Sequence, residues 1–91
     1  MAVESLVLAA CLIAMPPAQF DSGPVSVRET ILPRSMVNGL CNGGPSRVAC
    51  TITFADKAQK LVVLPMRGAY GCTVDDLRRH EYGHARGWHH S

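Results

Sequence analysis

Every histidine of the chain lies in its last stretch, RRHEYGHARGWHHS (78–91). His80, Glu81 and His84 spell H-E-x-x-H, and Gly87 and His90 extend this to H-E-x-x-H-x-x-G-x-x-H. On a helix, residues four apart stand one turn above each other, so both imidazoles can address one ion. Glu81 lies beside them, within reach of a water on that ion. Neutral imidazoles, a tetrahedral shell and one position kept for water suit Zn2+. The metal acidifies that water, and a carboxylate can then take its proton. The spacing therefore predicts that His80 and His84 share one ion, with Glu81 placed to take the proton of its water.

These side chains need a helix, and the sequence supplies its ends. Thr73-Val74-Asp75-Asp76 reads as an N-cap with an acid three residues on, a capping box with Asp in place of Glu. Asp75 and Asp76 also sit where the helix dipole favours negative charge. Gly87 is a natural stop. Turning about 100° per residue puts Val74, Leu77, His80, Glu81, His84 and Ala85 on one face. Arg78, Arg79, Tyr82 and Arg86 fall on the other, read as a solvated face with Asp75 and Arg79 paired at i,i+4. Gly83, on the flank, permits close approach of another backbone. Trp88 reads as a core anchor below the site.

The stretch from His80 to His90 resembles the zinc signature of the metzincin metallopeptidases, and H-E-x-G-H-x-x-G-W is also similar to short bacterial zincin-like proteins. The resemblance covers about the last twenty residues. It implies His80, His84 and His90 as zinc ligands, with His89 a rival for the third place, Glu81 as general base, and a peptide or protein substrate. It also implies a sheet before the active-site helix, with an edge strand able to hold extended substrate. Metzincins continue past the third histidine to a methionine-containing turn and a pocket wall, whereas Ser91 alone follows His90 here. A partner subunit or an upstream segment would have to close the site. The rival reading is a non-catalytic binding or interaction module that keeps zinc as a structural staple, a common need at this size.

Ninety-one residues allow one domain with a modest core. A net charge of +2, with no basic stripe interleaved with aromatics, argues against nucleic-acid binding. Leu6 to Met15 is an unbroken apolar run, too short to span a bilayer but suited to a secretory signal. Leu8-Ala9-Ala10-Cys11 resembles a lipoprotein cleavage box, which would anchor the chain to a membrane through Cys11. Glu4 replaces the usual basic residue, and an N-terminal core helix or strand is the alternative. The expected division is a leader over 1–20 and a metal-binding domain over 21–91, exported from the cytosol.

Within that domain, Val25–Leu32 alternates as a strand bracketed by Pro24 and Pro33. Ser35 to Cys41 reads as a short helix, Val48 to Phe54 as a half-buried strand, and Leu61 to Leu64 as another. The order is β-α-β-β-α: an α+β, minimal zincin-like domain with a small antiparallel or mixed sheet and a C-terminal metal helix. Cys41–Cys50 is the first choice of disulfide, because the Gly-rich loop between them can close. In a reducing compartment, Cys41, Cys50 and Cys72 would instead be small buried residues. Cys72, just before the helix, is also a candidate reactive thiol.

Overall fold

The computed structural model describes residues 11–43, 47–56 and 59–89. Their elements run in the expected order: β1 (Val27–Leu32), α1 (Arg34–Leu40), β2 (Cys50–Thr53), β3 (Lys60–Pro65) and α2 (Val74–Ala85). The sheet is mixed, in the order β1-β3-β2. β1 runs parallel to β3, and β2 runs antiparallel to it along the other edge. The fold class is α+β.

The central position of β3 explains its composition. A strand covered on both faces reads as a continuous apolar run rather than an alternation, and Val62, Val63 and Leu64 are all fully buried. Val62 and Leu64 join Val48, Ala49, Cys72 and Leu77 in a core on the α2 side. Val63 joins Val37 and Cys50 on the α1 side. The sheet is thus a middle layer between two helices. β2 is partly buried, as expected, and its two faces meet different helices. Cys50 faces α1, with Ile52 packed against the same cluster, while Thr51 turns towards α2 and meets Glu81. Thr51 is thus turned to α2 rather than to solvent, whereas Thr53 is exposed.

Both ends of α2 are built as the sequence indicates. Thr73 Oγ1 accepts from the Asp76 N–H at 3.0 Å, and Asp76 Oδ2 accepts from the Thr73 N–H at 2.9 Å, closing the capping box. At the other end Gly87 takes φ +106°, a conformation that a Cβ would strain. The Trp88 N–H then reaches back to the Gly83 carbonyl and the Gly87 N–H to that of His84, both at 3.0 Å. This is a Schellman turn. Lys60 Nζ, from β3, donates to the Ala85 carbonyl at 2.6 Å and adds positive charge at the negative end of the helix.

The arginine face is not open to solvent along its length. Arg78 pairs with both carboxylate oxygens of Glu29 on β1, at 2.8 and 3.1 Å, and also with Asp75. Arg79 pairs with Asp21, so the expected Asp75–Arg79 pair does not form. Arg86 donates to the carbonyls of Gly23 and Phe20. The chain from Phe20 to Gly23 therefore lies along this face of α2. Arg78, hydrogen-bonded to Glu29, holds that carboxyl below its ordinary range against the opposing effect of its burial.

Part of the segment read as a leader over 1–20 packs on the rest of the chain. Cys11 and Ile13 pack against the core on the α2 side, and Pro16 is buried. Cys11 forms a disulfide with Cys72, and Cys41 with Cys50. The second bridge is the one expected. The first corrects one expectation, since Cys72 is not a free thiol but is joined to Cys11. The remainder of the apolar run, residues 6–10, lies outside the described residues. Among the described residues no helix is long and apolar enough to cross a membrane.

Gly83 is closely approached, by side chains rather than by the backbone that was expected. A Cβ there would stand 2.7 Å from Pro16 Cβ, 2.9 Å from its Cγ and 3.0 Å from Trp88 Cε3. The pyrrolidine ring cannot rotate away. Gly83→Ala gains about 1 kcal/mol of helix propensity, but overpacking of this kind costs about 1–3 kcal/mol. Thermal melting of the variant is expected to fall by several degrees. A raised melting point would show that Pro16 is not seated on the helix.

Candidate metal centre

α2 brings His80, Glu81 and His84 together, with one potential ligand atom from each within 4.8 Å of the others. His80 and Glu81 are buried, at 7% and 6% exposure. The two imidazole Nε2 atoms face each other at 3.0 Å. Their other nitrogens are already committed. His80 Nδ1–H donates to the Ala14 carbonyl at 2.5 Å, and His84 Nδ1–H donates to the Trp88 carbonyl at 2.7 Å. A carbonyl only accepts, so in each neutral ring the proton sits on Nδ1 and the lone pair on Nε2.

Two lone pairs aimed at one another repel unless a cation or a shared proton lies between them. Nitrogens about 2.0–2.1 Å from one tetrahedral zinc stand about 3.3 Å apart, so a few tenths of an ångström of adjustment admits the ion. A ring nitrogen donating to a backbone carbonyl is the usual support of a metal-bound histidine. Burial pushes the His80 imidazole below the ordinary histidine range; the bond to Ala14 opposes this and nearby His84 adds to it. The net effect favours the neutral form that a metal requires. The donor set fits a metal ion.

Trp88 does more than anchor the core. Its indole stacks on His84, with ring centroids 4.8 Å apart and planes within 12°. The Schellman turn is what swings its carbonyl back to the His84 ring. Neither this carbonyl nor that of Ala14 was identified from sequence, because a backbone acceptor leaves no residue-type signature. Thr51 was missed as well. Its hydroxyl lies 2.8 Å from Glu81 Oε1 and 2.9 Å from the Glu81 carbonyl, so it holds the carboxylate from the edge strand. Its only sequence signal was its place on the polar face of β2.

A cleft of about 600 Å³ opens over the ligand face, walled by Leu12, Ile13, Ala14, Thr51, Tyr70 and His89 among others. Residues 12–14, upstream of the expected domain, thus line part of the cleft. His90, the expected third ligand, lies outside the described residues, while the rival His89 lines the cleft. Tyr82 points away, its hydroxyl donating to Glu29 at 3.1 Å. A second cluster, Cys11, Cys72 and Asp76, has a metal-like grouping, but its sulfurs are joined in the disulfide and its carboxylate closes the capping box. No family model, no curated protein and no solved structure matches the chain.

Proposed function

We propose that the chain is a zinc-dependent metallopeptidase of zincin type, hydrolysing peptide bonds in the cleft above α2. The observation that carries this reading is the pair of Nδ1–H bonds that aim two Nε2 lone pairs at one point, with a buried carboxylate beside them. His80 and His84 would hold the metal, with His90 or His89 as third ligand. Zinc, when bound, supplies Lewis acidity, acidifying water in its shell and polarising the scissile carbonyl. Glu81 takes the proton from the attacking water and returns it to the leaving amine. Thr51 keeps that carboxylate in place. β2, an antiparallel edge strand bordering the cleft, offers unpaired ladder groups to an extended peptide. The two disulfides support an oxidising, extracytosolic setting.

The same disulfides bear on the alternative in which zinc only staples the fold. A domain already crosslinked twice has less need of a metal staple. The test is metal content of the intact chain, measured beside hydrolysis of an unstructured peptide with and without chelator. Stoichiometric zinc and hydrolysis that the chelator stops and added zinc restores are expected. Bound zinc with no chelator-sensitive hydrolysis would favour the staple, and absence of zinc would remove both readings.

A further inference from the structure

Residues 11–14 cross one side of the cleft as a strap. At one end Cys11 is joined to Cys72, the residue before the N-cap of α2. Next to it, the Leu12 N–H donates to the Tyr70 carbonyl at 3.0 Å. Ala14 then presents its carbonyl to His80 Nδ1, and Pro16 lies against Gly83. Between these anchors only Ile13 packs on the core, while Leu12 is 76% exposed and Ala14 is exposed too. A segment held at so few points loosens once a covalent tether is cut.

What leaves with it is specific. The Ala14 carbonyl fixes the tautomer of His80 and helps to orient its ring. Without it, the His80 proton is no longer held on Nδ1 by that acceptor, and the ring loses one of the contacts that aim its lone pair. His84 is unaffected, because its acceptor is carried by the C-terminal turn of its own helix.

We propose that the Cys11–Cys72 disulfide is a redox latch on the metal centre, holding the strap so that the Ala14 carbonyl positions His80 and releasing it when reduced. The proposal rests on the reading of His80 and His84 as metal ligands. Release requires a dithiol reductant. Its thiolate attacks Cys11 Sγ, the half-buried sulfur of the pair, since Cys72 is only 4% exposed. The S–S bond breaks, Cys72 leaves as thiolate and takes up a proton, and the mixed disulfide is resolved by the second thiol of the reductant. Two protein thiols form, and the dithiol is oxidised to its own disulfide. Cys41–Cys50, on the α1 side of the sheet, touches no part of the centre and serves as the control.

The experiment is competitive zinc titration of the intact oxidised chain, of a C11S/C72S variant and of a C41S/C50S variant, with circular dichroism to confirm folding. Loss of a supporting partner of a metal-bound histidine weakens affinity about 10–100-fold, and C11S/C72S is expected to show that loss while C41S/C50S does not. A folded C11S/C72S chain binding zinc within about threefold of the parent overturns the latch and leaves the metal site standing. A parent that binds no zinc ends both. Nitrogen-15 spectra of the zinc-loaded parent give a second readout that needs no variant. His80 is expected to be metallated through Nε2 with an exchange-protected Nδ1–H, and metallation through Nδ1 overturns the proposal.

Discussion

Glu81→Gln is expected to keep stoichiometric zinc while peptide hydrolysis falls at least about a hundredfold, the usual contribution of a general base. The substitution preserves length and helix propensity almost unchanged. Its amide oxygen can still accept from Thr51, which now holds Glu81 Oε1 at 2.8 Å, so the buried environment keeps its hydrogen bond. Only the capacity to take a proton is removed. Melting point and zinc content report whether the fold and the metal survive, and initial rates report the chemistry. An active parent whose Glu81→Gln variant ran at full rate would show that the base lies elsewhere. Zinc lost together with the rate would make Glu81 a ligand rather than a base.

The second large effect concerns the metal itself. His80→Ala and His84→Ala are each expected to abolish stoichiometric zinc binding, since each removes a lone pair facing the other at 3.0 Å. A ligand that binds only the folded state stabilises it by RT ln(1 + [L]/Kd), about 2.7 kcal/mol at a hundredfold excess over Kd. Thermal melting of the parent should therefore rise on adding zinc, and neither variant should respond. His84→Ala also removes the ring on which Trp88 stacks, so its metal-free melting point should fall as well. Zinc bound in full by both variants would remove the metal-site reading.

Local features explain what could be read in advance. The capping box at Thr73 and Asp76 and the stop at Gly87 depend on contacts within one turn, and their residue types state them directly. The alternation of β2 and the unbroken run of β3 likewise follow from which faces are covered. Cys41 and Cys50, nine residues apart across a loop, are close enough for spacing to suggest their bond. The strap was not legible for the opposite reason. Cys11 pairs across 61 residues, Ala14 acts through its backbone, and an apolar run such as Leu6–Met15 has the composition of a secretory signal. The outer face of α2 was misread on similar grounds. Asp75 and Arg79 have good helical spacing, but Arg79 pairs with Asp21, 58 residues away, and Arg78 with Glu29, 49 residues away.

The Cys11–Cys72 bond also changes how far His80 must search for its acceptor. Along the chain Ala14 and His80 are 66 residues apart; through the sulfurs the route is only about a dozen residues. The cost of closing a flexible loop grows with the logarithm of its length, so the shortcut lowers it by about 1.5 kcal/mol. A contact that should be among the latest to form acquires the reach of a hairpin. Loops of about ten residues close in roughly 10–100 ns. In the oxidised chain, a strap that lifts away from the histidine therefore returns on that timescale, and the imidazole has little opportunity to settle into another orientation before its carbonyl is back.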